Sequence, residues 1–326
     1  MRTLRINVLF RGFLTSTTGF CITPTWQYES GSVHFSVQTS AGQELVYGGK
    51  LSSKADAHNF EFTASWHSII SSPNVPSSGN TDLQIAAYGL DSSAQYECKY
   101  NRTDVDGNLE IIKASATFVS PTLLTCITPA WGTKYIGKGT ENAKGSEKVD
   151  LQILEEGEIV SYLSESGNSP RCSKCVLFYS DVTVVEPSEA IAGSAITVQI
   201  QGAGFNSTGD RYVCRWSRNA TFYRESNASQ ASNLTRFQCK APKWPSSEEY
   251  VNLTIRDIFT EHTLGGSMQF YFGVGWDSLN ISKGPARGNQ PILVIGLGVK
   301  VDDQYLCVFK NLSWVRVTPV TVIDSQ

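Results

Sequence analysis

The eight cysteines are the residues with the most evident chemistry in this 326-residue chain, and their spacing is regular. "CITPTW" runs from Cys21 to Trp26, "CITPAW" from Cys126 to Trp131 and "CKAPKW" from Cys239 to Trp244. Alternating with them are "YEC" at Tyr96–Cys98, "YVC" at Tyr212–Cys214 and "YLC" at Tyr305–Cys307. In a strand, the Tyr and Cys of Y-x-C share a face, and that face must be the core if the Cys is to reach an opposite sheet. The expected partner is the Cys of the next C-x-x-P-x-W, giving Cys98–Cys126 and Cys214–Cys239, with separations of 28 and 25 residues. On the chain-entropy account each bridge contributes about 3–4 kcal/mol. Pro then ends the strand because it has no N–H to donate, and the Trp five residues after the Cys is expected to cover the end of the core.

Cys172 and Cys175, in "RCSKC", have C-x-x-C spacing. Redox chemistry would need that motif at a helix start beside a βαβ unit, and zinc would need a second pair. Neither context is present, so a structural disulfide, local or between subunits, is expected. "DVDGNLE" (Asp104–Glu110) alternates oxygen ligands without the spacing or length of a calcium loop, and Asp-Gly is first a hairpin turn. His34, His58, His67 and His262 form no metal-binding motif, and there is no nucleophile elbow or phosphate-binding Gly loop. An enzyme is the class with least support: no catalytic, metal or cofactor residue is expected.

A second chemistry resides in asparagine. Of 16 Asn, eight head N-x-Ser/Thr acceptors: Asn101, Asn206, Asn219, Asn227, Asn233, Asn252, Asn280 and Asn311. Chance in an ordinary chain gives about three. The excess points to N-linked glycans and a eukaryotic secretory route, hence an extracellular or cell-surface location. Six of the eight fall between Asn206 and Asn280 and none in residues 1–100. A glycan is bulky and hydrated, so the bare amino-terminal third is where subunit contacts are expected.

The composition that carries these residues is globular: 40% hydrophobic, 17% charged, with 27 Gly. Net charge is −3 and the 27 Lys and Arg form no basic stripe, so nucleic-acid binding is not expected. The longest apolar run, "PILVIGLGV" at 291–299, is about half the length a spanning helix needs. The opening "MRTLRINVLFRGFLT" is interrupted by Arg11 and makes a poor signal peptide.

Each Y-x-C follows a period-two strand that ends in Gly ("LQIAAYGL", "ITVQIQGAGF", "ILVIGLGV"), and no stretch shows sustained 3.6-residue periodicity. The class is all-β, in tandem units. The run "VTVVEPSEAIAGSAITVQIQGAGF…YVCRW…FQCKAP…YVNLTIRD…MQFYFG" (182–272) resembles an IPT/TIG domain, and 68–180 resembles it less tightly. The resemblance implies immunoglobulin-like β-sandwiches of about seven strands, strung as beads; by itself it implies no function. The division expected is 1–66 as the second half of such a unit, 67–180 and 181–276 as complete units, and 277–326 as the first half of another.

Cys21 thus lacks its upstream partner and Cys307 its downstream one. Either the repeats continue beyond the sequence, or the halves complete each other between molecules, with Cys307 and Cys21 about 40 residues apart across the junction. Head-to-tail contacts that do not close into a ring make a filament. The function expected is a structural subunit of an extracellular, N-glycosylated fibre or appendage, associating with itself. The same beads also suit the ectodomain of a plexin-type adhesion or signalling receptor, and an accessory domain of a secreted carbohydrate-active enzyme would need a catalytic domain outside the sequence.

Overall fold

The computed structural model describes residues 21–43, 59–103, 107–133, 146–163, 174–207, 211–229, 231–246 and 248–323. All regular structure among them is β, with no helix, and so no helix long and apolar enough to cross a membrane. The first segment forms β1 (Gly31–His34) and β2 (Asn59–Phe62), an antiparallel pair.

The second repeat holds β3 (Ser65–Ile69), β4 (Asn74–Pro76), β5 (Asp82–Tyr88), β6 (Tyr96–Thr103), β7 (Leu109–Ser120), β8 (Leu123–Ile127), β9 (Ser146–Glu155), β10 (Glu158–Ile159), β11 (Ser161–Tyr162) and β12 (Cys175–Tyr179). They run in the order β11-β3-β5-β8-β7-β6-β9-β12-β4, with β10 beside β9. The third repeat holds β13 (Asp181–Glu186), β14 (Glu189–Ile191), β15 (Thr197–Ala203), β16 (Tyr212–Ser217), β17 (Tyr223–Asn227), β18 (Arg236–Lys240), β19 (Glu249–Asp257), β20 (His262–Thr263) and β21 (Met268–Gly273). They make two sheets, β13-β15-β18 and β14-β21-β19-β16-β17, with β20 on β19. The last segment forms two antiparallel pairs, β22 (Gly275–Leu279) with β23 (Val294–Leu297), and β24 (Leu306–Lys310) with β25 (Val315–Pro319).

Period-two patterning builds the cores. Along β6 and β16 every second residue is buried, starting at Tyr96 and Tyr212. Leu83 and Ile85 on β5 meet Cys98 and Tyr100 on β6 and Leu151 and Ile153 on β9 in one cluster, so both layers of the second repeat share a core. Val198, Ile200, Trp216, Leu253 and Phe270 do the same in the third. Each such fully buried side chain contributes about 1.5–3 kcal/mol. Trp66 lies on β3 and belongs to the second repeat's core, edge-on to Tyr162 with ring centroids 4.7 Å apart.

In both complete repeats the entering chain changes layer. β3 pairs antiparallel with β5, and β4 then pairs parallel with β12; β13 pairs antiparallel with β15, and β14 then pairs parallel with β21. Pro73 and Pro187 lie at these crossings, where a residue without an N–H interrupts one ladder and releases the chain to the other.

The two repeats differ at one edge. The sequence leads one to expect two separate layers in each, but β7 pairs with β6 on one side and β8 on the other, joining the second repeat's layers into one curved sheet. Its run "LEIIKASATFVS" has neither Gly nor Pro. In the third repeat the strand stops at Asn227 and gives way to a segment rich in Ser and Asn, whose side chains compete for backbone hydrogen bonds, so an isolated bridge between Ala228 and Cys239 takes the place of a continuous strand and the layers remain two sheets.

Candidate functional site: staples, joints and acceptor asparagines

The staples join the layers. Cys98 on β6 is bonded to Cys126 on β8, and Cys214 on β16 to Cys239 on β18, with Cα separations of 5.9 and 6.3 Å. All four are buried. Cys175 at the start of β12 is disulfide-bonded as well, whereas Cys172 lies outside the described residues. Cys21 and Cys307 are free. The Trp of each C-x-x-P-x-W stacks on a Phe of the repeat's last strand. Centroid distances are 4.2 Å for Trp26–Phe62, 5.5 Å for Trp131–Phe178 and 5.0 Å for Trp244–Phe272. Trp131 and Trp244 are fully buried, and the Trp244 indole N–H donates to Glu249, which also takes a two-pronged ion pair from Arg218.

The Tyr of each Y-x-C closes a corner. Its hydroxyl accepts the backbone N–H of the residue two beyond the strand-ending Gly: Asp91 to Tyr96 at 2.7 Å, Asn206 to Tyr212 at 2.7 Å and Lys300 to Tyr305 at 3.0 Å. Burial raises the Tyr96 and Tyr212 hydroxyls above the usual phenol value, and Tyr96 donates its own proton to Glu155. The sequence shows the Tyr as a core residue, and its second role as a backbone acceptor emerges only from the fold.

Those same glycines form the joints between repeats. Gly89, Gly204 and Gly298 have φ of 72°, 77° and 79°, a left-handed conformation that glycine adopts without penalty. Each is bonded to the segment following the previous repeat's Trp: Ser30 N–H to Gly89 O at 3.0 Å, Gly204 N–H to Gly132 O at 3.0 Å, and Glu248 N–H to Gly298 O at 3.3 Å. Each also rests on the short link from the previous repeat. A Cβ on Gly89 would come within 3.2 Å of Thr63 O, and one on Gly298 within 3.3 Å of Gly273 O, while Ser180 Oγ donates to Gly204 O at 2.6 Å. Only Thr63–Ala64, Ser180 and Val274 separate the last strand of one repeat from the first strand of the next.

Side chains reinforce two of the joints. Ser78 donates its N–H and its hydroxyl to the two carboxylate oxygens of Asp181, at 3.0 and 2.7 Å, and Gly132 N–H reaches Ser77 O at 3.0 Å. Burial raises the Asp181 carboxyl above the usual range against the opposing pull of the Ser78 bonds. Glu248 accepts from Lys300 Nζ at 2.7 Å and from the Tyr271 hydroxyl at 3.0 Å, which hold its carboxyl below the usual range. The repeated glycines are visible in sequence; their neighbours across the joint are not, because those lie 24–72 residues away.

Seven of the eight acceptor asparagines lie on loops, strand ends or exposed strand faces. Asn219, Asn227, Asn233, Asn252, Asn280 and Asn311 are exposed, and Asn206 is half-buried. At Asn219 and Asn233 the side-chain oxygen accepts both the N–H and the hydroxyl of the motif's own Thr, at 2.8–3.0 Å, so the turn is held through Oδ1 and Nδ2 is left outward. Asn101 differs: it lies mid-strand on β6, and its Nδ2 is buried without a hydrogen-bond partner. Among the described residues, no group of three or more His, Cys, Asp or Glu is placed to hold a metal ion.

No family model matches the chain, and no curated protein matches it significantly. Solved structures that are similar include two of the plexin A4 full extracellular region. One is 13% identical over 62% of this chain with TM-score 0.25, and the other 12% identical over 78% with TM-score 0.24. InvD of Yersinia pseudotuberculosis is 8% identical over 68% of this chain and 60% of its own, with TM-score 0.23. This chain spans 26% of the length of either plexin A4 chain.

Proposed function

We propose that the chain is a structural subunit of an extracellular, N-glycosylated fibre or cell-surface appendage, built from tandem immunoglobulin-like units of IPT/TIG type that associate head to tail. The observation that carries this reading is the recurrence of one joint at Gly89, Gly204 and Gly298, with links of one or two residues. An array in which each unit meets only its neighbours, through backbone contacts at equivalent glycines, is quasi-one-dimensional. By the same recurrence the chain divides at 63–64, 180 and 274, and not after 66 and 276, since Ser65 and Trp66 lie on β3 and Gly275 and Trp276 on β22. Disulfides at Cys98–Cys126, Cys214–Cys239 and Cys175 suit an oxidising compartment, and exposed acceptor asparagines suit a secretory route. Negative-stain microscopy of the folded chain without added ligand tests this: continuous threads support it, and short separate rods at every concentration overturn it.

A further inference from the structure

The first and last described segments are complementary fragments of one repeat. β3, β13 and β22 each start three positions after Phe62, Phe178 and Phe272, and the Tyr305 corner repeats those of Tyr96 and Tyr212. By that alignment β22, β23, β24 and β25 correspond to β13, β15, β16 and β17, whereas β1 and β2 correspond to β19 and β21. In the third repeat β16 lies between β17 and β19, and β15 between β13 and β18. Among the described residues β24 has only β25 beside it, and β23 only β22. The residues that would face a core are uncovered: Phe309 is 43% exposed and Ile292 37%, against 0% for Trp216 and Val198 at the matching positions. On the other fragment Phe35 is 46% exposed, where Leu253 is 2%.

Resting on the head-to-tail reading, we propose that the stretch from Gly31 to Val37 of a second copy pairs along the free edge of β24 in the register that β19 uses on β16. Phe272 pairs with Glu249, and Phe62 with Gly31, so Val37 stands where Ile255 does. Since Cys214 pairs with Ile255 and Trp216 with Leu253, Cys307 comes opposite Val37, and Phe309 opposite Phe35. Val198 pairs with Cys239, which places Cys21 beside Ile292, in the position from which Cys239 reaches Cys214. The two free thiols therefore meet at the repeat's usual staple position. The second copy supplies the partner because two complete repeats, joined by links of one or two residues, hold the fragments of a single chain apart. Strand addition covers both open edges and both apolar faces at once.

Closing the bridge removes one proton and one electron from each thiol and forms one S–S bond. Glutathione disulfide accepts the electrons and leaves as two thiols, through a mixed disulfide. The test uses the full chain with that oxidant, non-reducing electrophoresis and mass mapping. The parent should give a ladder linked through Cys21–Cys307. Cys21→Ser and Cys307→Ser should each stay monomeric alone and, when mixed, give one covalent dimer and nothing larger. Homodimers of either variant, an intramolecular Cys21–Cys307 bond, or a parent monomer keeping both thiols overturns the pairing. Phe309→Asp, in the shared core, should abolish the ladder without altering the Cys98–Cys126 and Cys214–Cys239 bridges; an unchanged ladder also overturns the register. If threads form under the microscope without the Cys21–Cys307 link, this pairing fails while the fibre reading stands; if neither forms, both fail.

Discussion

Gly132 is the residue at which the joint can be opened without touching a core. A Cβ there would lie 2.5 Å from Gly204 N, 2.6 Å from Ser77 Cβ and 2.8 Å from Gly204 Cα. Carbon contacts become comfortable near 3.5 Å, so Gly132→Ala forces the backbones apart by roughly 1 Å. That displacement breaks or stretches two hydrogen bonds, Gly132 N–H to Ser77 O and Gly204 N–H to Gly132 O, both 3.0 Å. At about 0.5–1.5 kcal/mol each, the loss is about 1–3 kcal/mol. Hydrogen exchange at the Gly132 and Gly204 amides should accelerate by roughly 5–150-fold, since 1.4 kcal/mol is a factor of ten. Gly132 belongs to neither core cluster, so amides on β9 and β19 should keep parental rates. Gly107→Ala is the control: it strains a left-handed residue (φ 84°) with open space around it, and the joint should not respond. Parental exchange at Gly132 and Gly204 in the Ala variant would refute the reasoning.

Tyr212→Phe leaves the Asn206 N–H without its acceptor and should cost the third repeat about 1–3 kcal/mol in urea unfolding. Replacing Cys214 and Cys239 by Ala together should cost about 3.5 kcal/mol by the same measurement, from the 25-residue separation they close. Because the Glu248 carboxyl is held below its unfolded value, its contribution to the third joint is complete above the usual carboxylate range and disappears as pH falls through the lowered one. Small-angle scattering should then show that joint loosening in acid, with Lys300→Gln loosened already at neutral pH. Glycopeptide mass spectrometry of secreted chain should find Asn219, Asn233 and Asn252 occupied and Asn101 bare, because a glycan on its buried Nδ2 has no route out of β6.

The features legible in sequence were those set by local chemistry. Y-x-C places Tyr and Cys on one face wherever a strand forms, and its alternation with C-x-x-P-x-W names the partner, so the staples at Cys98–Cys126 and Cys214–Cys239 followed from the two together. The stacking of Trp131 on Phe178 and Trp244 on Phe272 fits the expected cover over the core end. What escaped were choices between long-range partners of similar local cost. Nothing near Ser161–Tyr162 announces a parallel pairing with β3, and nothing in "DVTVVE" shows that Asp181 takes two hydrogen bonds from Ser78. The joining of two layers by β7 depended on the absence of a break, which is a weaker signal than a Gly or Pro. The burial of Asn101 Nδ2 was equally hidden, since the acceptor motif is read from three residues and the covering from the whole outer face of a sheet.

The layer change after β3 and β13 has a consequence for tension. In both complete repeats the strand near the entrance, β4 or β14, runs parallel to and beside the exit strand, β12 or β21, over three residue pairs. Pulling on the two ends of such a unit slides these neighbours past one another, so their hydrogen bonds are loaded together in shear instead of being peeled one at a time. With the disulfide lying behind that clamp, even a unit whose clamp slips can pay out only the chain outside the Cys–Cys loop. A thread of these units would yield in bounded steps, each shortened by the 25–28 residues that the disulfide keeps closed.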